Sequence, residues 1–252
     1  MSLRSAPDWL TKWEYAHRGL HSDGVPENSL AAAEAAIAAG LGLECDIQRS
    51  RDGVPMVFHD WEVDRLTEGE GETESLLADE LERLSLNGTD QSPVRLARFL
   101  EQVGGRVPLL IEIKSKPGYN PDPTSFAVHH ALSGYRGQFA VMSFDPRVAI
   151  WFKANAQEIC SGLVMREDKY GYTQTAAERG EALRAAEPDF LAYHVLALPN
   201  DRVAALRADG LPVLTWTVNS PETRAVAAAH ADAMISEGAG LLSAQMVQQP
   251  AN

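Results

Sequence analysis

The chain has 252 residues, of which 45% are hydrophobic and 23% charged, a composition typical of a soluble globular protein with a substantial buried core. Its formal net charge of −13 argues against binding to nucleic acid or an anionic membrane, because either would need a basic patch. No apolar run approaches the roughly 20 residues that span a bilayer, and the N-terminus lacks the apolar segment of a secretory signal; we therefore expect a cytoplasmic protein with no stable membrane anchor.

Short apolar segments alternate with alanine-rich segments along the chain. The apolar segments predict eight β-strands: EYAHR, LGLECDI, VPLLIEIK, QFAVMSF, ICSGLVM, DFLAYHV, LPVLTWTV and ADAMIS. Most segments between them have helical periodicity, and several begin with a capping signal, such as Ser29 or Asn28, Asp145–Pro146 and Ser220–Pro221. This order predicts a (β/α)8 TIM barrel. An open, doubly wound sheet is the alternative, although such a sheet rarely contains eight parallel strands in regular alternation.

One segment interrupts the alternation. The residues between LECDI and VPLLIEIK are too many for a single crossover, and they include the turn and short strand of DGVPMVFHD, an acidic loop and one or two helices. We therefore predict a single domain over residues 1–252. A short inserted segment, at about residues 52–106, would separate the second and third barrel strands.

Three carboxylates fall on predicted strands in a pattern that points them into the barrel. Glu44 and Asp46 are two residues apart and therefore share a face, and Glu112 lies on the next barrel strand. Such carboxylates would repel one another, and a divalent cation would relieve the repulsion. Oxygen-only ligands favour Mg²⁺ or Ca²⁺ over zinc. The alternative is a set of internal ion pairs with nearby cations, namely Arg18, Lys114 or Arg49.

Two cations follow the first and third barrel strands. Arg18 offers a planar donor fork that suits phosphate, and Lys114 offers a compact positive charge. Salt bridges to the carboxylates are the alternative role. The two roles are compatible, since a substrate can share or displace such pairs.

His17 and His59 are the candidate proton carriers, because histidine titrates near neutrality. A single histidine at a strand end is usually structural, but two at one barrel mouth favour acid–base chemistry. Asp60 either orients His59 or caps the local turn. Of the other histidines, His21 is placed at the pocket rim and His194 at a strand end. The remaining three are interpreted as structural or solvent-facing: His129, His130 and His230.

Several fragments together resemble one family. In order and spacing, AHRG, PENSLAA, LECDIQRSRDGVPMVFHD, RLT, IEIK and TWTVN resemble the glycerophosphodiester phosphodiesterases, from Ala16 to about Ser236. The resemblance implies a metal-dependent (β/α)8 enzyme that hydrolyses small glycerophosphodiesters to sn-glycerol 3-phosphate and an alcohol. Its cofactor would be a divalent metal ion, Mg²⁺ or Ca²⁺.

The resemblance also implies a metal site. Its ligands would be Glu44, Asp46 and Glu112. Glu27, from the PEN fragment, would bind the metal directly or orient another ligand.

Further residues are implied around the substrate. His17 and His59 would form the general acid/base pair, and Arg18 and Lys114 would lie near the phosphate. Trp216 would form an apolar wall near the glycerol moiety.

The chain departs from the family pattern at the pocket rim. WEVDRLT follows HD where many members have a leucine and then RTT, and SEGAG replaces the usual SDxP ending of the last strand. These departures affect the residues that would select the substrate, so two alternative functions are kept beside hydrolysis of small glycerophosphodiesters. One is lysophospholipase D activity on longer lysophospholipids, with Trp61, Trp216 or Phe144 in an apolar groove; another is non-catalytic binding of a phosphate ligand. Head group, native metal and oligomeric state are left open at this point.

Overall fold

The computed structural model describes residues 6–241. Its strands are β1 (Tyr15–Ala16), β2 (Gly42–Arg49), β3 (Pro55–Val57), β4 (Val94–Arg95), β5 (Leu109–Ile113), β6 (Phe139–Ser143), β7 (Ser161–Met165), β8 (Phe190–His194), β9 (Val213–Val218) and β10 (Ala233–Ser236). All except β3 and β4 pair in parallel, and β1 pairs with both β10 and β2, which closes a barrel. The eight barrel strands fall on the eight predicted segments, so the TIM-barrel prediction is confirmed and the open sheet is excluded.

The helices mostly connect successive barrel strands on the outside. They are α1 (Leu30–Ala38), α2 (Ala78–Leu81), α3 (Leu96–Val103), α4 (Asp122–Leu132), α5 (Pro146–Asn155), α6 (Ala176–Ala186), α7 (Asp201–Ala208) and α8 (Pro221–His230). Ser29 caps α1 by accepting a hydrogen bond from Ala32 N at 3.0 Å, and Asp145 and Ser220 cap α5 and α8 as predicted. Across residues 6–241, no helix combines the length and apolar character needed to cross a bilayer.

The interior of the barrel is apolar in its lower part, near the amino ends of the strands, and charged in its upper part, near their carboxyl ends. Aromatic and aliphatic side chains such as Tyr15, Leu110 and Phe190 fill its lower part, and Leu10 packs beneath them. On β2 the outward-facing residues join the core under the helices: Leu43, Cys45 and Ile47. The alternate residues of β2, Glu44 and Asp46, therefore face the interior near its upper end.

The inserted segment extends β2 beyond the barrel. β3 pairs antiparallel with the end of β2, and β4 pairs antiparallel with β3. The segment has its own small apolar cluster, which includes Met56, Phe58, Val63 and Leu81. The predicted range of 52–106 also includes α3, which packs against α1 and α4 as part of the helix ring. The segment thus stays attached to the barrel through β2 and through Val57 and Val94, which join the core under the helices, while its other apolar side chains form the small separate cluster.

Candidate active site

Three buried carboxylates meet inside the upper barrel. Asp46 on β2 and Glu112 on β5 are register partners, and Glu44 lies two residues before Asp46 on the same face. One ligand oxygen from each lies within 4.8 Å of the others. Burial and the charges of Asp46 and Glu112 raise the pKa of Glu44 well above its ordinary value. The convergence predicted from the sequence is therefore present.

Two cations lie among these carboxylates. Lys114 Nζ is 2.8 Å from Asp46 Oδ1 and 2.7 Å from Glu112 Oε1, and Arg18 Nε is 3.3 Å from Asp46 Oδ2. Burial alone would raise the pKa of Asp46, but Lys114, His59 and Arg18 outweigh it and hold that pKa well below its ordinary value. Ion pairing, the alternative considered for these residues, is thus present. Two cations still leave one of the three carboxylate charges uncompensated.

The turn after β1 directs its backbone at the carboxylates. Arg18 has a φ of 56° and Gly19 a φ of 79°, so the chain turns back sharply and Arg18 N donates to Glu44 Oε2 at 2.9 Å. Asn28, which the sequence indicated only as a possible cap, holds Asp46 from the other side. Its Nδ2 donates to Asp46 Oδ2 at 2.9 Å, and its Oδ1 accepts from Asp46 N at 3.1 Å.

Each candidate histidine has a carboxylate on its Nδ1 atom. His17 Nδ1 is 2.6 Å from Glu237 Oε2, and His59 Nδ1 is 2.5 Å from Asp60 Oδ1. The hydrogen bond to His17, with a smaller contribution from His21, lowers the pKa of Glu237 well below its ordinary value. A carboxylate at Nδ1 favours the tautomer with its proton there and leaves Nε2 as the free nitrogen.

Glu237 is the residue that sequence reasoning missed. It follows β10, the last barrel strand, in the SEGAG ending that departs from the family pattern. The available signal was its position, because an acidic residue directly after a barrel strand lies at the end where TIM-barrel chemistry collects.

The inserted segment carries His59 to this mouth. Phe58 N donates to Asp46 O at 2.9 Å, and Gln48 Nε2 donates to His59 O at 3.1 Å. These bonds attach the backbone on both sides of His59 to β2, immediately beside the acidic triad.

Glu27 lies beside the triad without belonging to it. Its Oε1 accepts from Arg18 Nη1 at 2.6 Å, and both of its oxygens accept from Arg65. The side-chain contacts of Glu27 are thus with two arginines, and neither role predicted for it, binding the metal or orienting a metal ligand, is tested by them.

A cavity of about 560 Å³ opens at the carboxyl ends of the barrel strands. The predicted catalytic histidines, metal ligands, phosphate-binding cations and Trp216 all line it, whereas Glu27 and His21 do not. Trp216 forms part of an apolar wall, with its ring centroid 5.3 Å from that of Phe144 and its Nε1 donating to Ala192 O at 3.2 Å. His194 packs against Trp216 at 4.8 Å between ring centroids, outside the lining of the cavity.

The model of the glycerophosphoryl diester phosphodiesterase family matches residues 17–240. The chain belongs to this family. Glycerophosphodiester phosphodiesterase 1 of Bos taurus is 23% identical over 248 residues, covering 85% of this chain and 74% of the bovine protein.

Solved structures of this phosphodiesterase family share the fold. A phosphodiesterase of Oleispira antarctica, in complex with the product sn-glycerol-3-phosphate, superposes with a TM-score of 0.77 at 25% identity, covering 89% of this chain and 92% of that one. The glycerophosphodiester phosphodiesterase of Thermotoga maritima superposes with a TM-score of 0.71 at 25% identity. The superposition covers 88% of this chain and 92% of that one. The chain is thus a phosphodiester hydrolase by family.

The acidic triad fits a divalent cation. Its donors are all carboxylate oxygens within 4.8 Å of one another. Mg²⁺ takes oxygen ligands at about 2.0–2.1 Å and Ca²⁺ at about 2.3–2.6 Å, so opposite ligands of one ion lie about 4–5 Å apart. The uncompensated negative charge and the raised pKa of Glu44 are the costs that such an ion would relieve.

Proposed function

We propose that the protein hydrolyses small glycerophosphodiesters to sn-glycerol 3-phosphate and an alcohol, in a reaction that requires a divalent cation. One observation carries the proposal. Two histidines with a carboxylate on each Nδ1 face the same cavity as a buried acidic triad and two cations. The product held by the Oleispira antarctica neighbour supports the proposed product of this enzyme.

Arg18 and Lys114 bind the phosphate in this proposal. Glu44, Asp46 and Glu112 would hold the cation, which when bound neutralises negative charge that develops on the phosphate oxygens. Arg18 can present its guanidinium to two oxygens at once, and Lys114 supplies a point charge. Because both are already held by carboxylates, they lose little freedom when the substrate arrives.

His17 and His59 move the protons. One Nε2 takes a proton from the attacking hydroxyl as its oxygen bonds to phosphorus. The other imidazolium gives its proton to the alcohol oxygen as the old phosphorus–oxygen bond breaks. The attacking group is water, which gives sn-glycerol 3-phosphate directly, or the substrate's own glycerol hydroxyl, which gives a cyclic phosphate. In the second case water then opens the cyclic phosphate, with one histidine taking the proton of water and the other protonating the ring oxygen that leaves. Glu237 and Asp60 stabilise the imidazolium that each step requires.

Histidine variants test this proposal. We expect His17→Ala and His59→Ala each to lower kcat by about 100-fold or more, since general acid–base catalysis typically contributes that much. His129→Ala, on the outer helix α4, is the control and should retain full turnover. The readout is sn-glycerol 3-phosphate released from glycerophosphocholine with added Mg²⁺ or Ca²⁺.

The same assay also tests whether the protein hydrolyses glycerophosphodiesters at all and whether hydrolysis requires a metal. No release of sn-glycerol 3-phosphate from any glycerophosphodiester would refute the hydrolysis proposal and favour ligand binding without catalysis. Full turnover after chelation with EDTA would refute the metal requirement.

Lysophospholipase D activity is the second candidate. Tyr170, which is 69% exposed, lies at the mouth of the cavity, and Trp61 and Phe144 also line it. These rings could receive an acyl chain. Glycerophosphocholine and lysophosphatidylcholine both release choline on phosphodiester cleavage, so one choline assay compares them. We expect the soluble diester to have the higher kcat/KM; a preference for the lysophospholipid would establish the second candidate instead.

A further inference from the structure

Arg65 contacts two carboxylates at once from the inserted segment. Its side chain is 50% exposed and lies outside the lining of the cavity. Nε and Nη2 donate to Asp60 Oδ2 and Oδ1 at 2.5 and 3.0 Å. Nη1 and Nη2 donate to Glu27 Oε2 and Oε1 at 3.1 and 2.9 Å. Two edges of the guanidinium are thus occupied by carboxylates from different parts of the chain.

Each of these carboxylates also contacts a group of the proposed reaction. Asp60 Oδ1 is 2.5 Å from His59 Nδ1, and Glu27 Oε1 accepts from Arg18 Nη1 at 2.6 Å. A continuous series of charged hydrogen bonds therefore runs from His59 through Asp60, Arg65 and Glu27 to Arg18. Its two ends line the cavity, whereas its middle lies outside.

The orientation of the His59 ring depends on this series. The bonds to β2 involve backbone atoms on both sides of His59 and leave the imidazole free to turn about its side-chain torsions. Asp60 restrains the ring, but Asp60 is itself a partly exposed side chain. Arg65 donates to both Asp60 oxygens and therefore sets the plane of that carboxylate.

We propose that Arg65 is a positioning residue that holds Asp60, and through it the His59 imidazole, in a set place relative to Arg18 and the phosphate. This inference rests on the proposed function in one respect, the role of His59 as a proton carrier. Arg65 acts on the proton-transfer step, so its loss should lower kcat and leave substrate binding almost unchanged.

The first experiment compares two exposed arginines, Arg65 in the inserted segment and Arg51 directly before it. Arg65→Ala should lower kcat about 10- to 100-fold with KM changed less than about threefold, because small misplacements of a reacting group cost factors of this size. Arg65→Lys should be intermediate, since one ammonium cannot present a planar fork to two carboxylates. The matched control is Arg51→Ala, which should keep wild-type kcat. The Arg51 side chain is 55% exposed, and its Nη2 lies 3.6 Å from Glu80 Oε2.

Two further measurements separate positioning from a general structural effect. Guanidinium ion at low, non-denaturing concentration should restore part of the kcat of Arg65→Ala and none of that of His59→Ala. In a double-mutant cycle with Asp60→Asn, the Arg65→Ala substitution should cost much less than it costs alone, because both variants break the same series. Absence of rescue together with additive losses would overturn the proposal.

The outcomes also distinguish this inference from the proposed function. If the wild type is active, His59→Ala is inactive and Arg65→Ala keeps full kcat, the positioning role alone is wrong. If His59→Ala keeps full activity, both the acid–base assignment and the positioning role are wrong. Should Arg65→Ala fail to fold, Arg65→Gln, which keeps side-chain bulk and loses the charge, is subject to the same criteria.

Discussion

At the scale of single residues, the two histidines are set apart from ordinary ones by their carboxylate partners. Glu237 reaches His17 from directly after the last barrel strand, whereas Asp60 follows His59 directly in the chain. His21 Nε2 lies 3.5 Å from the same Glu237 oxygen. The Glu237 carboxylate therefore joins two loops of the mouth as well as orienting a proposed proton carrier.

Glu237→Gln tests that orientation. The amide keeps the size of the side chain and removes the charge that stabilises the His17 imidazolium, so we expect kcat to fall at least about tenfold with little change in KM. Steady-state kinetics on glycerophosphocholine measure this. Glu222→Gln, at an exposed position in the first turn of α8, is the control. Equal kcat values for the two variants would contradict the role of Glu237.

The lowered pKa of Glu237 also predicts a pH dependence of stability. A carboxyl group whose pKa is lower in the folded than in the unfolded protein stabilises the fold above its unfolded pKa, ordinarily 4.5, and loses that effect as the pH falls towards the folded value. We expect wild type to exceed Glu237→Gln in free energy of unfolding at neutral pH. The difference should shrink below about pH 4.5. Urea unfolding at several pH values measures it, and a difference that grows on acidification would contradict the prediction.

At the scale of elements, the turn after β1 and the start of α1 form one unit. Leu20 N donates to Ala32 O at 3.0 Å, and Gly19 lies so close to α1 that a Cβ atom there would be 2.8 Å from Ala32 Cβ. This contact brings the Arg18 backbone to Glu44 and the Arg18 side chain to Glu27. Glycine is needed at residue 19 for both its positive φ and its lack of a side chain.

A pair of glycine variants separates these two requirements. Gly24 has a similar φ of 78° and, beyond its chain neighbours, no atom of residues 6–241 lies within 4 Å of a Cβ built there. Gly24→Ala should therefore cost roughly 1–2 kcal/mol of stability from backbone strain alone. Gly19→Ala should cost about 1–3 kcal/mol more from the clash with α1 and should also lower turnover. Urea unfolding and kinetics of both variants measure this. Equal stability losses would contradict the close contact.

Across the whole molecule the formal net charge is −13, and the cavity shares this excess of negative charge, because its three buried carboxylates outnumber the two cations among them. Arg18 and Lys114 compensate two of three buried carboxylates, and burial raises the pKa of Glu44. Without a cation, ionising Glu44 is costly in the folded protein. Stability is therefore expected to fall as the pH rises from the ordinary pKa of Glu44 towards its raised folded value.

Metal addition should reverse this loss. A ligand that binds only the folded protein at 100 times its Kd stabilises it by about 2.7 kcal/mol, and binding to the triad should release protons while Glu44 is still protonated. Below the raised pKa of Glu44, we expect the rise in Tm with Mg²⁺ or Ca²⁺ to be larger at higher pH. Thermal unfolding with metal or EDTA measures this, with Glu44→Gln as the variant that should respond weakly. A rise in Tm that is equal in the two proteins would place the metal elsewhere.

Local patterns in the sequence were sufficient to predict the eight barrel strands, the caps of α1, α5 and α8, and the three carboxylates that share one face. These features depend on side-chain periodicity and on interactions between near neighbours, which the order of residues contains directly. The closing of a parallel barrel then brings all strand ends to one mouth, so residues far apart in sequence could be placed together.

Which of the converging groups contact one another depends on how the loops fold over the barrel mouth. The contacts Glu237–His17 and Arg65–Glu27 join residues 220 and 38 positions apart, and no local periodicity encodes them. Asn28, expected as a cap, instead holds Asp46, because the turn after β1 and the start of α1 face the end of β2. Such contacts depend on side-chain length and on where loops cross the barrel mouth. Residue patterns therefore predict the barrel and the convergence of its charges, whereas the partner of each charge follows from side-chain packing at the mouth.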